Sequence, residues 1–186
     1  MTEADRREDL LRYLRRGWEA LLWKLDGLSE YDVRRPLTPT GTNLLGLVKH
    51  VALTTSGYFG AVLGRPDAVE WSDDEVNADM WAKPGESREL ILDAYARAVA
   101  DAEAALTELP LDHPAHVSWW AEPDVTLHRI AVHMAVELHR HCGHADILRE
   151  LVDGAAGMVP DATNVPGDLD WPGYVAHLQA EADAHR

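Results

Sequence analysis

The stretch VTLHRIAVHMAVELHRHCGHADILRELV, residues 125–152, decides the fold. It reads as one long helix, with Gly154 and Gly157 placed to end it, because glycine adopts the left-handed conformation that closes helices. At roughly 3.6 residues per turn, positions three and four apart share a face. Met134, Ala145 and Leu148 mark the core-facing side, and Glu137, His141 and His144 fall on that side too. The segment 133–150 alone holds four of the chain's ten histidines and its one cysteine. A carboxylate and imidazoles on a core-facing stripe need an explanation.

The rest of the chain supplies partners for such a helix. Leu10, Leu11, Leu14, Trp18, Leu21, Leu22 and Leu25 recur at spacings of three and four. They predict an amphipathic helix over about 3–26, with Gly27 as terminator. Asn43 or Thr42 can cap a second helix over 44–63, whose stripe includes Leu44, Leu47, Val48, Val51 and Phe59. A third, rich in alanine and leucine, covers 87–109. Between them lie a proline-marked loop (29–43), a long acidic connection with Trp71 and Trp81, and a proline-broken segment with Trp119 and Trp120. Asp170 can cap a C-terminal helix over 171–184, with Pro172 in its first turn. No run alternates with period two. The expected architecture is all-α, a single domain over 1–186 built as an up-and-down four-helix bundle. The core of such a bundle is a usual place for a metal site.

Composition narrows the function classes. The formal net charge of −15 argues against binding a phosphate backbone, and the three arginines of LLRYLRRGWE read as a solvated face. No hydrophobic run approaches the length of a membrane span. The charged N-terminus lacks the apolar stretch of a signal peptide, and one cysteine makes no internal disulfide. The expectation is a soluble cytoplasmic protein. Only Lys24, Lys49 and Lys83 stand beside many arginines, a bias that with abundant alanine points to a GC-rich, actinobacterial genome.

An isolated inward carboxylate is costly to bury unless it is paired or protonated. A cation removes the problem, and Glu137 and His141, four apart, supply two ligands. On the second helix His50 sits among apolar positions in LLGLVKHVAL and offers a third. The set is then two histidines and one carboxylate with open positions. The bland alternatives are a satisfied core histidine at His50 and a surface ion pair at Glu137–His141. His128 and His139 share a face nearly opposite Glu137 and are expected in solvent. His133, one turn before Glu137, is a weaker candidate for the inner face. His144 is either a hydrogen-bonded helix residue or a substrate group. Asp146 is expected in a surface or interhelix ion pair, with Arg149 or Arg140 as candidate partners, ahead of a role orienting a ligand histidine. Cys142, off the ligand face, reads as a small buried residue. The tryptophans of the connections either pack over the bundle ends or line a pocket mouth.

GTNLLGLVKHVALTTSGYF (41–59) together with VTLHRIAVHMAVELHRHCGHADILRELVDG (125–154) resembles the DinB-like superfamily, most closely its mycothiol-dependent S-transferases and the metal-binding domain of maleylpyruvate isomerase. The resemblance implies a four-helix bundle whose metal triad falls on His50, Glu137 and His141. It implies zinc as the usual metal, with nickel or another divalent ion as alternatives, mycothiol as cosubstrate, and dimers in many relatives. Similar proteins often carry arginine at the position of His128. Any substrate-binding role of that arginine is lost here or passes to Arg129.

A metal with three protein ligands keeps a position open. A thiol bound there ionises readily, and the thiolate is the nucleophile. The leading expectation is a metal-dependent thiol S-transferase acting on an electrophilic small molecule. The rivals are a hydrolase using metal-bound water, with His133 or His144 as general base, and a non-catalytic metal-binding or ligand-binding bundle. An iron oxygenase ranks last.

Overall fold

The computed structural model describes residues 2–72, 75–163 and 165–186; Asp73 and Asp74 of the acidic connection lie outside them. The elements are almost all helical. Helix α1 (Glu3–Trp23) opens on a capping box. The Thr2 side chain accepts from the Asp5 N–H, and the Asp5 carboxylate accepts from the Thr2 N–H. It buries Leu14, Trp18 and Leu21, while Leu22, assigned to the same stripe by spacing, is exposed at its edge. The helix stops three residues before its expected end and turns through Gly27 (φ 71°).

The segment 29–43 was expected to be a loop but contains a short helix, α2 (Glu30–Arg34). The Ser29 hydroxyl accepts from the Asp32 N–H, and Val33 is buried. Cap and anchor together hold one turn that is too brief to show a period. Helix α3 (Leu44–Phe59) begins at Asn43, whose side chain accepts from the Gly46 N–H. It ends at Gly60, before the expected Leu63, and a 3-10 turn covers Ala61–Leu63. The cause is local: the Asp67 carboxylate accepts the Ala61 N–H at 2.7 Å. Helix α4 (Arg88–Glu108) is capped by Ser87. Helix α5 (Leu127–Asp153) is capped by Thr126 and closed by Gly154 at φ 80°.

Ahead of α5 the structure adds strands where none were expected. β1 (Pro114–His116) and β2 (Asp124–Thr126) pair antiparallel, with Ala115 opposite Val125. Three residues per strand are too few to reveal alternation in the sequence. Helix α6 (Trp171–Asp183), capped by Asp170, buries none of its residues.

The four long helices share one core. Leu14 and Leu21 of α1 meet Leu47 and Val51 of α3, Ile91 and Leu106 of α4, and Ile130 and Leu138 of α5. Gly17 lets α1 approach α5, since a Cβ there would lie 2.7 Å from a Leu138 methyl carbon. Tyr95, buried on α4, donates its hydroxyl to the Trp18 carbonyl of α1 at 3.1 Å.

Two lysines sit in this interior. Lys24 is fully buried, 2.7 Å from Asp146 and over the Trp23 ring at 4.0 Å. Asp146 therefore forms the expected interhelix ion pair, but with Lys24 rather than with either arginine. Arg149 instead donates to the Trp23, Lys24 and Asp26 carbonyls at the end of α1 and pairs with Asp153 at 2.8 Å. A cation at that helix terminus complements its exposed carbonyls. Lys49, on α3, donates to the Ala78 and Trp81 carbonyls at 2.5 and 2.9 Å and meets Glu86 at 2.8 Å. It pins residues 78–86 of the connection onto α3.

Candidate functional site

The site starts from Lys49 and its neighbours. The segment 78–81 lies against α3 because Gly46 carries no side chain: a Cβ there would stand 1.8 Å from the Met80 carbonyl oxygen. The Asn43 side chain donates to that same oxygen at 3.2 Å. With the backbone held on both sides, the Asp79 carboxylate reaches His50 Nδ1 at 2.6 Å. The bond turns His50 Nε2 toward α5, 3.7 Å from Glu137 Oε1. His141 Nε2 lies 2.9 Å from the same oxygen. The two imidazole rings stand edge to face, 4.7 Å apart.

One ligand atom from each of His50, Glu137 and His141 falls within 4.8 Å of the other two. Ligands about 2.1 Å from a common zinc in tetrahedral geometry stand ~3.4 Å apart, so the measured 2.9 and 3.7 Å bracket that spacing. Protonation agrees as well. Burial pushes His141 below the ordinary histidine range, against the opposing bond and charge of Glu137. Burial acts to raise Glu137, but the hydrogen bonds and charges of His141 and His50 outweigh it and hold the carboxyl low. A neutral imidazole and an ionised carboxylate are the forms that bind metal. The donor set fits a divalent ion, with Asp79 behind His50 as the carboxylate that commonly backs a metal-binding histidine.

Residues 9–154 match the mycothiol S-transferase family. The chain belongs to that family. Its fold is also similar to a conserved protein of Enterococcus faecalis known from a crystal structure. The match has a TM-score of 0.65 at 17% identity over 80% of this chain and 97% of the other. No curated protein matches. Membership in the mycothiol S-transferase family implies a small-molecule thiol as substrate. Among the described residues no helix is long and apolar enough to cross a membrane.

The other histidines on α5 of this mycothiol S-transferase family member separate by position. His144 Nδ1 faces His141 Nδ1 at 3.4 Å, on the side away from Glu137. His133 packs against Tyr58 and Trp120, with ring centroids 5.0 and 4.7 Å away, and burial lowers its pKa against the pull of Glu137. His128 is exposed as expected. His139 is not free in solvent; it is half-buried and bonds the Tyr13 carbonyl of α1 at 3.0 Å. Arg129 stands beside the hairpin, paired with Glu122 at 2.9 Å and 5.6 Å from the Trp120 ring centroid. Cys142 is buried and donates to the Gly17 carbonyl. Burial and then the Asp146 charge push its thiol up to about 12, against the pull of Lys24. A thiol so held is no nucleophile at neutral pH.

Of the tryptophans, Trp71 and Trp119 line a cleft of about 510 Å³ that also includes Asp79. The Trp71 indole donates to Glu86 at 2.8 Å. Asp79 is the site residue that the sequence does not mark by period or motif. The one signal for it was the length and acidity of its connection, since long connections in compact folds often serve function.

Proposed function

We propose that the protein is a metal-dependent S-transferase that joins a low-molecular-weight thiol, mycothiol, to an electrophilic small molecule. The observation that carries this reading is the convergence of His50, Glu137 and His141 beside the cleft, in a chain whose residues 9–154 match the family. His50 and His141 offer Nε2, and Glu137 offers a carboxylate oxygen. Zinc is the proposed ion, with nickel or another divalent ion able to take the same ligands. When bound, the ion supplies positive charge that favours the ionised thiol.

The chain's own groups do the rest. Asp79 fixes the His50 ring. Tyr58 and Trp120 pack on His133, with Trp119 against Tyr58, and offer aromatic surface to an electrophile. The thiol gives up its proton to solvent, a carbon–sulfur bond forms, and the leaving group departs with the electron pair of the bond that breaks. Cys142 takes no part.

The test uses purified, zinc-loaded protein with mycothiol and a panel of electrophiles. Thiol conjugates that disappear in His50→Ala and His141→Ala, together with loss of stoichiometric metal, are the expected result. Unchanged metal content in both variants would sink the triad. Cleavage of esters or amides without any thiol would assign a hydrolase. A bound-cobalt spectrum that no thiol perturbs would assign a non-catalytic bundle.

A further inference from the structure

Leu53, Thr54, Gly57 and Tyr58 line the cleft. They follow His50 by three, four, seven and eight positions, so they lie on the α3 face that carries His50. Asp79 belongs both to the cleft wall and to the His50 hydrogen bond. On the opposite side His133, one turn before Glu137, packs on Tyr58. The cleft therefore runs along α3 from Asp79, the residue that holds the His50 ring.

The lining combines two kinds of surface. Tyr58, Trp71 and Trp119 supply aromatic faces, while Asp67, Glu70 and Asp79 supply carboxylates. No lysine or arginine is among its described lining residues. Lys49 lies 5.0 Å from the Trp71 ring centroid, but it is 1% exposed and engaged by Glu86 and two carbonyls. The charge of a divalent ion at Glu137 would be cancelled by that carboxylate and an ionised thiol, so the three lining carboxylates set the local field. An anionic group entering here meets repulsion without a compensating cation.

We propose that this cleft binds the electrophile and selects an uncharged aromatic one over one bearing a carboxylate or phosphate. The inference rests on the S-transferase reading above. For an aryl chloride the thiolate sulfur attacks the ring carbon that bears chlorine. The carbon–sulfur bond forms, the carbon–chlorine bond breaks, chloride leaves with the electron pair, and the thiol's proton goes to solvent.

The test pairs the methyl ester of a chlorodinitrobenzoate with its free acid, which differ in charge at nearly the same shape. Conjugation rates with mycothiol are compared after division by the uncatalysed rates. Binding is measured separately with the chlorine-free dinitrobenzoate ester and acid, by quenching of tryptophan fluorescence. The ester should bind on the order of tenfold more tightly at low salt, with part of the quench lost in Trp119→Phe. The gap should close in molar salt and in Glu70→Lys. Equal binding of ester and acid at low salt would overturn the proposal, as would a preference indifferent to both salt and Glu70→Lys. Selective binding without any thiol conjugate would remove the transferase reading and leave the cleft's selectivity standing.

Discussion

At the scale of single residues the centre depends on which way His50 faces. Its Nδ1 is committed to Asp79 at 2.6 Å, which leaves Nε2 for a ligand role. Asp79→Asn keeps the shape and removes the charge, and should weaken metal binding by about 10–100-fold. Competition with a chromophoric chelator measures this, while a cleft residue that does not touch His50, such as Glu70, should leave metal affinity unchanged on substitution to Gln. The three converging positions are legible in the sequence because helical spacing puts Glu137 and His141 on one face, and His50 interrupts an apolar stripe. Asp79 was not legible. Its place depends on how a connection folds back over α3, and no period records that. His139 was misjudged for a related reason. Helical geometry gives the direction of a side chain, but the Tyr13 carbonyl that meets it belongs to another helix.

At the scale of elements, α3 organises the site. In one turn it offers Gly46 as a gap, Lys49 as a latch and His50 as a proposed ligand. Glu86 answers Lys49 with its side chain 14% exposed. Burial acts to raise its pKa, but the bonds from Lys49, the Lys83 N–H and the Trp71 indole hold it low. Lys49→Met removes the cation and strands the carboxylate, and breaking a pair this deep costs about 3 kcal/mol. Urea unfolding should show that loss. The metal site should loosen with it, because the Ala78 and Trp81 carbonyls on either side of Asp79 lose their donor. The sequence marked Lys49 as rare but gave it no role, since a lone lysine in an apolar stripe looks the same whether its amine reaches solvent or a distant loop. The short elements α2, β1 and β2 escaped notice because each is three to five residues long, below what hydrophobic period resolves.

At the scale of the whole molecule, the long helices carry the fold. Their stripes were readable because each presents a sustained apolar face over several turns, and those faces meet in one core. Helix α6 was also readable, from Asp170 and Pro172, yet its role differs. It buries no residue, so ending the chain after residue 168 should change stability by no more than about 0.5 kcal/mol. Calorimetry of the shortened chain against the full one measures this, and a large drop would show that α6 packs on the bundle. Helix formation and helix docking are separate events. Caps and propensity reveal the first, while the second needs a buried stripe that α6 lacks.

Asp79 belongs to both proposed sites, since it braces His50 and forms part of the cleft wall. Two sites that share a residue are thermodynamically linked, and such linkage is reciprocal. Whatever factor a filled cleft adds to metal affinity, the metal must add to affinity in the cleft. Metal titrations with and without a cleft ligand, and ligand titrations with and without metal, must therefore return the same ratio, which makes the communication between the two sites a single measurable constant.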